Sequence, residues 1–375
     1  MIHDYLNQYG GAERVLEALH AMYPAAPIYT SMYAPQLMPE DYRQWDIRTS
    51  FMQRLPSVHY HHQKYLLAYP LAFESFQLGY YDVVLSNCSA WAKGVLTPPE
   101  TLHVCYCLTP MRWAWSFREY VERERIGATL RRVLLFAMHY LRLWDVTASQ
   151  RVDRFLAISR AVAARIRKYY GREARVIYPP VAVERFHPGG PPDDYFLIVS
   201  RLIPYKRVDL AIETFNRLGP GWRLKIVGDG RNRAALQARA GPNVEFLGRL
   251  RDDEVDTLMT RCRAFLFPGL EDFGIAPVEA QAAGRPVVAY AGGGALDTVL
   301  DGETGVLFAE QSVEALTDAV QRCADLAWDP LAARANAERF SAARFRHELS
   351  DYVEQAWEEH RGGASRPAAA AAPVG

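Results

Sequence analysis

Short apolar runs alternate with amphipathic stretches along nearly the whole chain. In the second half, Tyr195 to Ser200, Trp222 to Val227, Val244 to Leu247, Ala264 to Phe267 and Pro286 to Tyr290 read as strands buried on both faces. Between them, helical spacing predicts Val208 to Arg217, Arg231 to Ala240 and Asp252 to Arg263. Such regular alternation builds a parallel sheet with right-handed crossovers. The first half repeats the theme less evenly, with strands expected at Met1 to Tyr5, Pro27 to Ser31, Ile47 to Thr49, Asp82 to Ser86, His103 to Leu108, Asp153 to Ile158 and Arg175 to Tyr178. Helices are expected from Ala12 to about Met22, Thr129 to Ser149 and Arg160 to Tyr170, and an aromatic-rich one from His61 to Leu78, interrupted near Pro70. The first strand is short before its turn, which places the expected chain start upstream.

Pro179-Pro180 and Pro188-Gly189-Gly190-Pro191-Pro192 bracket a linker. Phe345, Leu349, Tyr352, Val353 and Ala356 recur at helical spacing, so Ser341 to Glu359 reads as an amphipathic helix. The expected division is an α/β N-terminal domain over 1–187, an α/β C-terminal domain over 188–340, a helix within 341–361, and an Ala/Pro-rich disordered tail over 362–375.

Candidate chemistry gathers where predicted strands end. In PGLEDFGIAPVEAQAAG, Pro268 to Gly284, a tight loop carries Glu271 and leads through Gly274 into a helix expected to hold Pro277 and Glu279 in its first turn. A helix N-terminus offers unpaired N–H groups and partial positive charge to an anion. Two carboxylates beside it are placed to grip hydroxyls, an arrangement suited to a phosphorylated sugar. Upstream, FLIVSRLIPYKR delivers Arg201 and Lys206 to the loop after a buried strand, the place where open α/β sheets bind ligands. Each residue also has a plainer reading: a first-turn Glu as a dipole partner, a loop cation as a solvated charge.

The pattern VSRL-x-P-x-K-R-x-DLAIE, then VGDG at Val227 to Gly230, then two glutamates with seven residues between them, resembles the retaining glycosyltransferases of family 4. YGGAERVL at Tyr9 to Leu16, YCLTPMRWAW at Tyr106 to Trp115 and VIYPPV at Val176 to Val181 extend the resemblance to about Arg361. It implies the GT-B fold, two Rossmann-like domains whose parallel sheets face each other across a cleft, with the C-terminal helix crossing back onto the first domain. It also implies transfer of a hexose, with retention and no cofactor, from a nucleotide-diphosphate sugar to a saccharide or polyprenyl-linked acceptor. Arg201, Lys206 and Glu271 become the expected catalytic residues. Gly10, Gly11, Gly228, Asp229, Gly230, Leu250, Phe273, Gly274, Ile275 and Glu279 become the expected donor contacts, Glu279 on the ribose diol and the backbone around Leu250 on the base. Arg112 and Trp113 are the expected acceptor contacts, although the tryptophans here could equally pack a domain edge. HDYLNQYGGAERVLEAL and YCLTPMRWAW look most like bacterial enzymes of surface polysaccharide synthesis, many of them mannosyltransferases, so GDP-mannose is the expected donor. Asp252 and Asp253 are the carboxylates expected near guanine, with helix capping as their alternative reading.

One departure stands out. The family commonly has histidine directly before Thr-Pro, where this chain has Leu108. His103 does not substitute for it, because strand alternation puts positions 103, 105 and 107 on one face and 108 on the other. A nucleotide-sugar epimerase, a silent sugar-nucleotide binding module and a glycosidase using the glutamate pair remain the alternatives; the adjacent cations, which a glycosidase does not need, argue against the last.

Composition narrows the rest. Half of 375 residues are hydrophobic, enough for two cores, and 43 basic residues balance 43 acidic ones, so no global field points to nucleic acid. Locally, Met111 to Asp145 holds seven arginines against four acids among aromatics, which sets a peripheral membrane surface beside the plainer reading of a packed helix with solvated arginines. Five scattered cysteines without metal spacing, and the lack of a signal peptide or spanning run, lead to an expected cytoplasmic location, with peripheral contact at the inner face of the cell membrane left open. His59, His61 and His62 invite a metal reading, but helical spacing spreads them and no metal is expected.

Overall fold

A computed structural model describes residues 1–116 and 128–364. Part of the basic-aromatic run, 117–127, and most of the predicted tail therefore lie outside the described residues. The chain forms two compact units: one of Met1–Ile158, Val162–Ile177 and the residues from Arg346 onward, the other of Ser159–Ala161 and Tyr178–Phe345.

The first unit is built on a seven-stranded sheet. Its strands are β1 (Ile2–His3), β2 (Ile28–Thr30), β3 (Ile47–Thr49), β4 (Val83–Cys88), β5 (Leu102–Cys107), β6 (Arg154–Ala157) and β7 (Ala174–Val176), in the order β3-β2-β1-β4-β5-β6-β7. All pairs are parallel. The chain winds outward from β1 in one direction and from β4 in the other, so β1 and β4 flank the point where strand order reverses. Both β4 and β5 are almost wholly buried, as their continuous apolar patterns require. Cys88, Cys105 and Cys107 lie in this sheet as buried free thiols.

The second unit carries β8 (Phe196–Val199), β9 (Leu224–Val227), β10 (Val244–Gly248), β11 (Ala264–Phe267), β12 (Val287–Tyr290) and β13 (Gly305–Phe308), in the order β10-β9-β8-β11-β12-β13, again all parallel. Here the reversal lies between β8 and β11. Phe196, Ile198, Ile212, Phe215, Leu266 and Val288 form part of one continuous core under this sheet.

Most expected elements are present within a residue or two. The His61 to Leu78 helix is not continuous: a 3-10 segment, His62–Ala68, breaks at Tyr65, and Tyr69–Glu74 begins afresh with Pro70 in its first turn, where a missing N–H costs nothing. The helix expected over Arg231 to Ala240 is reduced to Arg233–Gln237. Strand β13 and the helices Val313–Asp325 and Pro330–Glu338 were not among the sequence expectations. The final helix, Ala342–Ala364, runs three residues into the expected tail and carries the chain back into the first unit. There Arg154 pairs with Glu359 at 3.2 Å and Arg175 lies over the Tyr352 ring.

Candidate functional site

Because the six strands of the second unit are parallel, the loops after β8, β9, β11 and β12 emerge at one edge of its sheet. At the reversal point, the Lys206 ammonium from the loop after β8 and the Glu271 carboxylate from the loop after β11 form an ion pair, each side chain about one-sixth exposed (16% and 17%). Two of the expected catalytic residues thus meet where open α/β sheets take their ligands. Arg201, in the same loop as Lys206, is exposed and reaches the Tyr205 hydroxyl at 3.4 Å.

Close backbone contacts fix these loops. A Cβ on Gly269 would lie 2.8 Å from the Tyr205 carbonyl and 2.9 Å from Lys206 Cα, so the β11 loop rests directly on the segment carrying the lysine. On the other side, Gly294 N–H donates to the Glu271 carbonyl at 2.9 Å, and Gly293 adopts φ +61° with its Cα against that same oxygen. The run Ala291-Gly292-Gly293-Gly294 after β12 therefore buttresses Glu271. Sequence reasoning missed it, although three glycines straight after a buried strand were a visible signal.

Gly274 takes φ +98° and caps Ile275–Ala282, and as a glycine it brings no side-chain acceptor to the first-turn N–H groups. This start corrects one expectation. Pro277 is the third helical residue and Glu279 the fifth, so Glu279 sits in the second turn, buried, and not in the first. Phe273 turns its ring inward against Tyr178 and Phe340, at 6.0 and 5.6 Å between centroids, so only its backbone is offered to a ligand.

Gly228 and Gly230 have a structural cause. Side chains there would strike the Ser200 and Leu202 carbonyls, because the β9 loop is pressed onto the β8 loop and bonded to it through Ser200 N–H to Val227 and Leu202 N–H to Asp229, both at 3.0 Å. Asp229 accepts from Gly230 N–H at 2.8 Å. Leu250 is partly exposed just before the helix Asp252–Arg261. Asp252 and Asp253 occupy the first turn of that helix, with Asp253 held by Arg251 at 3.0 Å, an arrangement that complements the helix dipole.

The first unit has its own organised strand ends. Asp4, just past β1, is buried, and its carboxylate accepts from the backbone N–H groups of Ser89, Ala90, Trp91 and Ala92 and from the Ser89 hydroxyl, at 2.6 to 2.9 Å. Five donors on one carboxylate compensate its desolvation and pin the β4 loop to the reversal point. Gly10 caps the helix Gly11–Met22 in extended backbone, and a Cβ there would make only ordinary contact with Glu13, so neither sterics nor φ demands the glycine.

Arg112 and Trp113 fall on the short helix Arg112–Trp115. The Trp113 ring lies 5.5 Å from Trp91, whereas Trp115 is locked, its indole N–H donating to Asp145 at 2.7 Å and its ring stacked on Tyr169 at 4.3 Å. Asp145 also accepts from Lys93 at 2.5 Å and from the Tyr170 hydroxyl at 2.9 Å, while Lys93 reaches the Ala90 carbonyl at 2.7 Å. The pair is fully buried and hydrogen-bonded on both sides, and the carboxylate holds the lysine's pKa above its ordinary value against the burial that would lower it. Nothing in the sequence marked Asp4, Lys93 or Asp145, since burial of a lone charge is decided by distant partners. Leu108 is buried at the end of β5.

Comparison with known proteins gives two matches that meet near the junction of the units. Residues 9–185 match the model described as Glycosyltransferase Family 4, and residues 184–339 match Glycosyl transferases group 1. The chain is 30% identical over 210 residues to a GDP-mannose-dependent monoacylated alpha-(1-6)-phosphatidylinositol monomannoside mannosyltransferase of Corynebacterium glutamicum, covering 46% of this chain and 55% of that one. It is 32% identical over 190 residues to a D-inositol 3-phosphate glycosyltransferase of Mycolicibacterium paratuberculosis, covering 45% and 42%. The chain spans about half the length of the curated relatives it matches. Among solved structures, Anabaena Alr3699/HepE in complex with UDP superposes with a TM-score of 0.68 at 19% identity, over 95% of this chain and 100% of that one. Sucrose-phosphate synthase of Thermosynechococcus elongatus superposes with 0.69 at 18%, over 96% and 100%. The fold is GT-B.

Proposed function

We propose that this GT-B glycosyltransferase moves a hexose, with retention and without a metal ion, from a nucleotide-diphosphate sugar to a saccharide or lipid-linked saccharide hydroxyl. The observation that carries the reading is the Lys206–Glu271 ion pair at the β8/β11 reversal, in the loops that lead to the helix start at Gly274. Breaking the anomeric C–O bond leaves negative charge on the diphosphate. Lys206, Arg201 and the N–H groups after Gly274 are preorganised donors for that charge, the service a divalent cation would otherwise perform. Glu271 holds Lys206 in place and takes the sugar hydroxyls, while Glu279 takes the ribose diol.

Leu108 supplies no proton acceptor where the resembled enzymes commonly have histidine. The leaving phosphate then accepts the proton of the incoming hydroxyl on the same face, which is compatible with retention. On the acceptor side, Arg112 and the half-buried Trp113 offer a cation and a flat apolar surface, supported on Trp91 and on the Asp145 network.

Donor choice follows the relatives: the two mannosyltransferases from Corynebacterium glutamicum and Mycolicibacterium smegmatis are named as GDP-mannose-dependent, and we assign the same donor here. Guanine presents a donor edge that uracil lacks, so a site built for it leaves groups unpaired with UDP. Calorimetric titration with GDP and with UDP tests the assignment. Tighter GDP binding supports mannose; tighter UDP binding replaces it with a UDP-hexose.

A further inference from the structure

Arg207, the residue after Lys206, is one of two non-glycine residues among the described residues with left-handed backbone, at φ +53°. A residue with a Cβ disfavours that region, so its surroundings must impose it. The cause lies in the turn it makes. Pro204–Lys206 is one turn of 3-10 helix, followed by Arg207, whose N–H donates to the Pro204 carbonyl at 3.2 Å, and then by the helix Val208–Leu218. Ordinary helical backbone at 207 would run the turn straight into the helix. The left-handed residue separates the two and sets the direction in which Lys206, the last residue of the turn, leaves the loop.

Gln311 reaches this turn from the edge of the sheet. It follows β13 and stands one residue before Ser312, whose hydroxyl caps the helix Val313–Asp325 by accepting from Ala315 N–H at 3.2 Å. Leu316 and Val320 of that helix lie in the same core as Ile212 and Phe215 of Val208–Leu218, so the backbone that carries Gln311 has a fixed base. Its side chain spans two loops: the amide oxygen accepts from Arg207 at 3.4 Å, and the amide nitrogen donates to the Pro268 carbonyl at 2.7 Å. Pro268 opens the β11 loop that carries Glu271 and precedes Gly269, which rests on the backbone of Tyr205 and Lys206. A carboxamide accepts and donates at once, which neither a carboxylate nor an ammonium does.

We propose that Gln311 is a positioning residue for the transfer reaction: it ties the left-handed turn after β8 to the loop after β11 and so fixes Lys206 and Glu271 relative to each other. The role rests on the reading of that pair as the reacting groups, and Gln311 acts through them without touching substrate. A small misplacement of reacting groups is enough to cost orders of magnitude in rate.

The test compares the full chain with Gln311→Met, which keeps the side-chain length but neither bond, and with Gln311→Glu, which still accepts from Arg207 but cannot donate to Pro268. Hydrogen exchange read by mass spectrometry, without nucleotide, should be faster in peptides covering 203–208 and 268–273 of both variants, with the helix Val313–Asp325 and the thermal midpoint unchanged. In release of hexose from GDP-mannose, both variants should lose roughly tenfold or more in kcat with the KM for the donor little changed, a split that general loosening of the fold does not give. Parental exchange in both loops overturns the proposal whether or not the chain turns over. So does faster exchange with parental kcat, or parental kcat in Gln311→Glu. A parent that releases no hexose from any nucleotide sugar contradicts the functional reading instead, and the exchange result then decides whether Gln311 ties the loops.

Discussion

Lys206 and Glu271 are 65 positions apart in sequence and form one ion pair at the reversal point of the second sheet. Each is the other's support: Glu271 holds the ammonium in the loop after β8, and Lys206 holds the carboxylate in the loop after β11. Lys206→Ala and Arg201→Ala should each lower kcat roughly a hundredfold or more, the loss expected for one preorganised donor. Glu271→Ala removes the contact proposed near the reacting carbon and should act mainly on kcat, whereas Glu279→Ala should act mainly on the KM for the donor. Steady-state kinetics of the four variants separate these roles; identical splits for Glu271→Ala and Glu279→Ala would contradict them.

Metal independence makes a separate demand. Turnover should be unchanged after treatment with a chelator and indifferent to added magnesium if, as proposed, Arg201, Lys206 and the helix start carry the diphosphate charge. Loss on chelation with recovery on magnesium would show that these groups do not suffice.

The Lys93–Asp145 pair predicts a stability effect distinct from catalysis. Asp145→Ala leaves a buried ammonium unpaired and strands the Trp115 and Tyr170 donors, so urea unfolding should show a loss of about 3–5 kcal/mol. Lys93→Met/Asp145→Leu removes both charges together and should lose much less. Equal losses would mean that packing, and not the charge, sets the cost.

His103 predicts a pH dependence. It is fully buried, with Nε2 against the Ser86 hydroxyl at 2.9 Å, and burial, assisted by Arg151, pushes its pKa down to about 3. In the unfolded chain the value is about 6.5. Between the two, the unfolded state binds a proton that the folded state does not, so stability is full above the unfolded value and falls as pH drops toward the folded one. Near pH 5 this residue alone should cost ~2 kcal/mol relative to neutral pH. Urea midpoints at both pH values for the parent and for His103→Gln read it; the same pH dependence in both would remove His103 as the cause.

Much of this arrangement was legible in the chain. Continuous apolar runs located the strands, and cations or carboxylates directly after them located Arg201, Lys206 and Glu271, because strand ends in a parallel sheet share one edge. What was not legible depended on non-local packing. Strand spacing does not show that Gly228 and Gly230 yield to a neighbouring loop's carbonyls, or that Phe273 turns inward to Tyr178. Helix starts shift by a residue or two for similar reasons, and that shift moved Glu279 into the second turn. Asp4 was invisible for a stronger reason: its five donors come from residues 85 to 88 positions away.

In the proposed function, the β8/β11 reversal of the second unit activates a nucleotide-diphosphate sugar for transfer. Incubating the full chain with a panel of nucleotide sugars, without acceptor, and following the products by NMR tests this most directly. Slow release of free hexose is expected from one donor, GDP-mannose, and is expected to disappear in Lys206→Ala. Epimerised donor, binding without any release, or release undiminished in Lys206→Ala would contradict it.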